Sequence, residues 1–338
     1  MKVALFEKAH VLTIATKPLR KLGVHEVLVK IQACGVCGTD VHIVEGSSRS
    51  TPPVVLGHEF VGVAENVGSD VQHIARGQRV AVDPNIACGI CYYCRRGLVH
   101  LCAQLKALGV DLDGGMAEFC IAPMQQVYVL PERMKWSESV FIEPVSCAIH
   151  GIDRANISVG DTVVILGGGT IGLLMLQLAQ NAGAAQTILV EPLEYKRRIA
   201  TELGADIVID PKESDLKSSV MEMTKVGADV VIDCAGTPQT AQLSLELARR
   251  GGTVEYFGVC PVGEKINIEP NQIYFKELTI VGSYVNPNTF SRAIALLDSG
   301  KVRVDNFHTT TFSLEEVHHA LAFQREGKTT KSIIEPNK

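Results

Sequence analysis

Six consecutive residues, Cys37-Gly-Thr39-Asp40-Val-His42, combine a thiol, a hydroxyl, a carboxylate and an imidazole, and Leu56-Gly57-His58-Glu59-Phe60 follows after a loop. Thiolate, imidazole and carboxylate are the three ligand types that a catalytic zinc accepts while keeping a position open for water or substrate. Each residue alone has a plain reading, a cysteine as a small core hydrophobe and a Gly-His pair as a turn. Further along stand Cys88-Gly-Ile-Cys91-Tyr-Tyr-Cys94 and Cys102. Four thiols in one short loop have the composition of a closed tetrahedral zinc site that ties down the chain without doing chemistry. A redox pair needs only two thiols and usually opens a helix after a strand, which this Gly/Tyr loop does not resemble. Glu143, in Glu143-Pro-Val-Ser-Cys147, reads either as a helix carboxylate facing solvent or as a fourth, exchangeable ligand or base beside the metal.

A third constellation begins at Asp161. The β-branched run Thr162-Val-Val-Ile-Leu166 leads into Gly167-Gly-Gly169-Thr170-Ile171-Gly172 and an apolar stretch from Leu173 to Ala182. Strand, GxGxxG turn and helix form the start of a dinucleotide-binding βαβ unit, in which pyrophosphate meets the helix N-terminus. A second strand, Thr187–Val190, ends in Glu191, nineteen residues beyond Gly172. A carboxylate there accepts from the ribose hydroxyls and repels a 2′-phosphate, which favours NAD over NADP. The nearby Lys196-Arg197-Arg198 reads as a solvated helix face or as a place that tolerates a phosphate.

The elements that must position these residues follow from the pattern. Residues 1 to about 60 read as short strands and turns, among them Val27–Gln32, and Val61–Val67 and Gln78–Asp83 repeat the pattern, punctuated by Gly68 and Gly77. That predicts a β-rich region, a small twisted barrel or sandwich. A helix is predicted from Trp136 through Glu143 toward Gly151. Strands at 162–166, 187–190, 207–209, 230–233, 253–257 and 278–281 alternate with helices at 194–203, 216–224 and 240–249. This is the pattern of a doubly wound, six-stranded parallel sheet. After a turn at Asn286-Pro-Asn, a helix at 289–299 and an amphipathic stretch at 314–325 make a tail expected to pack back on the first region.

The whole chain of 338 residues is long enough for two cores, and 46% hydrophobic with 20% charged residues describes a folded globular chain. A net charge of −5 gives no reason to expect nucleic acid or an anionic membrane as partner. The longest apolar run, 163–179, is interrupted by three glycines, which argues against a membrane span. Met1-Lys-Val-Ala-Leu-Phe reads as a strand rather than a signal region. With metal-ligand spacing among ten cysteines, a reduced cytoplasmic chain is expected.

Taken together and in order, these motifs resemble the zinc-containing medium-chain dehydrogenases, and most of all their polyol branch of sorbitol, xylitol and arabitol type. The resemblance implies a GroES-like catalytic domain at 1–148 and 286–338, with a Rossmann NAD domain at 149–285 between. It implies a catalytic zinc at Cys37, His58 and Glu59, with Glu143 bound directly or through water, and a structural zinc at Cys88, Cys91, Cys94 and Cys102. Cys147 is a rival ligand out of register, and Cys34 is packing. Asp40 would orient the zinc histidine, while Thr39 and His42 would relay the proton of the substrate hydroxyl. Cofactor contacts would come from Gly167, Gly169, Thr170, Ile171, Gly172, Glu191 and Lys196, and from Gly258, Val259, Tyr284 and Val285.

The implied reaction takes a hydride from a secondary hydroxyl of a sugar alcohol to NAD, giving a ketose, in a homodimer or homotetramer. The same chemistry on a small diol such as butanediol, or on a phosphorylated polyol, is the alternative. A non-catalytic nucleotide-binding role is the reading from a different class. Two departures stand out. The tryptophans that threonine dehydrogenases carry after the first zinc cysteine are missing from Val44-Glu-Gly-Ser-Ser-Arg49. The arginine that follows the last sheet strand in sorbitol dehydrogenase is replaced by Ser283-Tyr284-Val285-Asn286.

Overall fold

The computed structural model describes residues 1–213 and 215–338. The chain forms two compact units, one of 1–146, 286–299 and 307–338, the other of 147–285 and 300–306.

The first unit is built on the strand Glu26–Gly35, whose residues alternate between buried and half-buried up to Cys34. Period-two burial is what a strand with one face on a core requires. It pairs antiparallel with Glu59–Val67, with Phe119–Pro123 and, at Cys34 and Gly35, with Lys331–Ile334 near the end of the chain. Val29, Ile31, Cys34, Phe60 and Val80 meet in one apolar core with Phe312, Leu314 and Leu321 from the carboxyl-terminal segment. Cys34 therefore packs, as expected.

Two elements here differ from the sequence expectation. A seven-residue helix, Gly38–Val44, interrupts the all-β region. Its composition disfavours a helix, and a local cap stabilises it: the Cys37 amide donates to Asp40 Oδ2 at 2.9 Å. The single helix expected from Trp136 is two, Trp136–Ser139 and Ile142–Ala155. Pro144 explains the break, because it has no N–H for the Val140 carbonyl and is tolerated only in a first turn.

The second unit holds a six-stranded, all-parallel sheet. Its strands run in the order Ile207–Ile209, Gln186–Val190, Thr162–Leu166, Ala228–Asp233, Ala248–Tyr256, Thr279–Gly282. The order reverses between Thr162–Leu166 and Ala228–Asp233, so a topological switch point lies at their carboxyl ends. Val163, Val164, Ile165 and Leu166 are all buried, as a central parallel strand covered on both faces must be. The expected helix at 240–249 starts earlier and ends at Leu247, and the fifth strand already begins at Ala248. Among the described residues, no helix is long and apolar enough to cross a membrane.

Candidate metal centres and nucleotide loop

The ligand atoms of Cys37, His58 and Glu59 all lie within 4.8 Å of one another. Two local structures bring them together. Cys37 caps the short helix, while Gly57, at φ +91°, turns the chain so that His58 and Glu59 point the same way. A side chain at Gly57 would collide with Cys34 Sγ and the Met116 backbone in that conformation. Asp40, fully buried, uses Oδ2 to cap the helix and turns Oδ1 toward His58 Nδ1 at 3.5 Å. Burial works against a charged His58, but the Asp40 carboxylate and the Cys37 thiol outweigh it and hold its pKa well above the ordinary value. Neither Asp40 Oδ1 nor His58 Nδ1 has another hydrogen-bond partner among the described residues. That leaves Nε2 as the imidazole atom able to face a cation, with a carboxylate behind the ring.

Glu59 has a partner the sequence reading missed. Lys331 Nζ donates to both of its carboxylate oxygens, at 2.8 and 2.6 Å, and to the Val36 carbonyl at 3.4 Å. Both side chains are almost wholly buried. Burial lowers the lysine's pKa, and the charges of Glu59 and Cys37 more than reverse this, with Glu143 adding to them. Nothing in Lys331-Ser-Ile-Ile announces this role. The pairing comes from strand Lys331–Ile334 lying beside Cys34 and Gly35. Glu143, 8% exposed in the first turn of Ile142–Ala155, stands outside the three-ligand group but close enough to act on Lys331.

Thr39 is half-buried, with its hydroxyl 3.7 Å from Cys37 Sγ. His42 is exposed one helical turn on, its Nδ1 3.4 Å from the Ser47 hydroxyl. The pair thus spans from the Cys37 thiol to solvent on one helix face.

The cysteine quartet has the geometry of a closed site. Sulfur separations of 3.5, 3.9 and 4.0 Å link Cys91 to Cys94, Cys91 to Cys102 and Cys88 to Cys94. Four sulfurs each about 2.3 Å from a tetrahedral zinc lie roughly 3.8 Å apart. The amides of Cys88 and Gln104 donate to Cys102 Sγ, and those of Cys94 and Ala103 draw the Cys91 thiol down to about 6. Desolvation pushes Cys94 the other way, to about 12. A dication at the centre is what would make all four thiolates at once. The donor sets of both clusters therefore fit zinc.

In the second unit the glycine turn joins Thr162–Leu166 to the helix Thr170–Ala182, with Gly169 as its N-cap. A Cβ on Gly172 would lie 1.8 Å from the Gly167 carbonyl, so only glycine lets helix approach strand here. Glu191 closes the turn from the neighbouring strand. Its Oε2 accepts from the Gly168 amide and its Oε1 from the Leu193 amide, each at 2.8 Å. Arg197 donates to the Glu191 carbonyl and to Asp210, while Lys196 stands 5.9 Å over the Tyr195 ring. Gly258 donates its amide to the Asp233 carbonyl, and Val259 beside it is 82% exposed. Tyr284 is half-exposed and Val285 has φ +49°. Gly167, Gly169, Thr170, Ile171, Gly172 and Glu191 thus gather at the carboxyl ends of adjacent strands, and Gly258 and Val259 follow the fifth.

A mixed-ligand metal cluster, a thiolate quartet and a parallel nucleotide-binding sheet on one chain define the class of zinc- and nicotinamide-dependent dehydrogenases. Residues 23–132 match the alcohol dehydrogenase GroES-like domain, and residues 170–299 match the zinc-binding dehydrogenase domain. Along its full length the chain is 32% identical to D-arabinitol dehydrogenase 1 of Uromyces fabae, of which it covers 97%. It is 36% identical to L-threonine 3-dehydrogenase of Pyrococcus furiosus over 93% of this chain and 92% of that one. A crystal structure described as a zinc-binding dehydrogenase from Sinorhizobium meliloti 1021, bound to NADP, superposes with a TM-score of 0.95 at 40% identity over 99% of both chains. The chain belongs to the zinc-containing medium-chain dehydrogenase family, and it is an enzyme.

Proposed function

We propose that this enzyme oxidises a secondary hydroxyl of a sugar alcohol to a ketone with NAD, using zinc held by Cys37, His58 and Glu59, with Glu143 as a fourth, exchangeable ligand. The observation that carries the reading is the convergence of the three ligand atoms, with Asp40 behind the imidazole and Thr39 beside the thiol. The chemistry that zinc and nicotinamide would supply there is a lowered pKa of the substrate hydroxyl and an acceptor for hydride from its carbon. This chain's residues do the rest. Thr39 takes the hydroxyl proton, and His42, exposed one helical turn on, delivers it to water. Asp40 holds the His58 ring, and Lys331 keeps the Glu59 charge from being stranded when it is not on the metal. The quartet at Cys88, Cys91, Cys94 and Cys102 holds a second, structural zinc.

NAD is favoured over NADP because the Glu191 carboxylate, fixed at the turn, repels a 2′-phosphate, and the adjacent Arg197 is already engaged with Asp210. A preference for NAD of about 100-fold or more in kcat/KM is expected. A homodimer or homotetramer in the cytoplasm fits the same reading. Threonine is the second substrate reading, favoured by the name of a 36%-identical relative and opposed by the tryptophan-free loop after Val44.

The test is NAD reduction with pentitols, hexitols, butanediol, galactitol 1-phosphate and threonine, before and after chelation. A pentitol or hexitol reacting fastest, with loss on chelation and recovery with zinc, supports the proposal. Threonine or butanediol as the only substrate overturns the polyol assignment. NADP used better than NAD overturns the role given to Glu191.

A further inference from the structure

Behind Glu143 lies a buried polar cluster that no metal or cofactor role has used. Asp83, Ser146, Asn286 and Thr289 are each at least nine-tenths buried. Three segments far apart in sequence meet in it. Asn286 Nδ2 donates to Ser146 Oγ at 2.8 Å and, more weakly, to Asp83 Oδ1 at 3.4 Å. Asn85 Nδ2 donates to Asn286 Oδ1 at 2.6 Å, so both ends of the Asn286 amide are taken. Ser146 Oγ passes its own hydrogen to the Glu143 carbonyl at 2.6 Å, and Thr289 Oγ1 donates to the Ser146 carbonyl at 2.7 Å. The Asn85 amide donates to Asp83 Oδ1, which closes the corner.

The arrangement is costly to build. Burying four polar groups is tolerated only because each finds partners. The return segment is also held in an unfavourable backbone. Val285, a β-branched residue, sits at φ +49°, and Asn288 at φ +57°. Such positions persist where the surroundings over-determine them. Three of these hydrogen bonds, from Asn286 to Ser146, from Ser146 to the Glu143 carbonyl and from Thr289 to the Ser146 carbonyl, fasten the start of Ile142–Ala155, where Glu143 stands.

We propose that Ser146 and Asn286 are positioning residues for Glu143, locking the first turn of its helix so that the carboxylate is held for the catalytic metal. The proposal rests on the reading of Glu143 as a ligand. Both act through the backbone of that turn. The return segment of the chain thereby becomes a working part of the metal centre.

The experiment is zinc release from the fully loaded enzyme to a chromogenic chelator, which separates the mixed-ligand site from the slower thiolate quartet. Four proteins are compared: wild type, Glu143→Gln, Ser146→Ala and the double variant. Ser146→Ala is expected to speed the first phase about 10-fold, the lower end for outer partners of metal ligands, and to leave the second phase alone. In the Glu143→Gln background the same change is expected to add nothing. An unchanged first phase in Ser146→Ala overturns the proposal, as does an equal acceleration in both backgrounds, which would mark a merely structural role. If Glu143→Gln itself releases zinc like wild type, the ligand reading fails, and the positioning proposal falls with it. Asn286→Ala makes the same comparison from the other side of the bond, and the unchanged quartet phase verifies folding in each variant.

Discussion

The two cysteine-containing centres of the first unit solve opposite problems. The quartet is assembled from one stretch of chain, Cys88 to Cys102, with one ligand type and with backbone amides donating to its sulfurs. The mixed cluster draws Cys37 from a helix cap and His58 and Glu59 from a strand start, and His58 and Glu59 are backed by Asp40 and Lys331 respectively. A closed set of like ligands needs only proximity. An open set that must hold a metal, leave room for substrate and survive ligand exchange needs every charge compensated twice, once by the metal and once without it.

The sharpest way to break this comparison is to remove one ligand from each centre. Cys37→Ser is expected to lower activity by more than about 100-fold, beyond the loss typical of outer partners, while scarcely moving the melting temperature. Cys91→Ser is expected to do the reverse first: one zinc lost per chain and stability lowered by several kcal/mol, seen by metal analysis and thermal unfolding. Equal stability losses in both variants would erase the distinction.

Lys331→Met probes the compensation itself. In the chelated protein it leaves Glu59 buried and unpaired, at an expected cost of about 3–5 kcal/mol. With zinc present the cost should shrink, because the metal supplies the missing positive charge. Denaturant unfolding with and without chelator measures both, and an identical loss in the two conditions would mean that Glu59 does not face the metal.

A smaller effect tests the contrast from the second unit, where a buried carboxylate has no such partner. Glu255, fully buried in the fifth strand, has no hydrogen bond to either oxygen among the described residues, and burial pushes it up to about 8 against a weak pull from Arg154. Because the folded state holds this proton more tightly than the unfolded state, stability is full below about 4.5 and falls as pH rises toward 8. Glu255→Gln should flatten that decline, raising stability at pH 8 by at most a few kcal/mol and the melting temperature with it. A parallel pH slope in the variant would assign the decline to other groups.

How much of this could be read in advance depended on sequence distance. Cys37, His58, Glu59 and the quartet stand at spacings that advertise chemistry, and the glycine turn sits in a strand-turn-helix pattern that is equally local. The parallel sheet was legible because fully buried strands read as short β-branched runs between helices. The Gly38–Val44 helix was not, since its stability comes from one carboxylate cap rather than from propensity. Lys331 was invisible because an ordinary lysine in an apolar strand shows no partner, and strand pairing alone brings it to Glu59. Asn286 read as a turn residue for the same reason: its amide is spoken for by Asn85 and Ser146, neither of which is near it in sequence.

The ion pair between Glu59 and Lys331 spans 272 residues. A ribosome making this chain therefore exposes the whole quartet early, but delivers the lysine only after the entire nucleotide-binding unit has been made. The thiolate site can capture its zinc on the nascent chain. On the proposed function, the mixed-ligand site, with Glu59 uncompensated until the strand at 331–334 arrives, is a late acceptor. Newly made protein starved of zinc should accordingly accumulate with one metal per chain, folded and inactive.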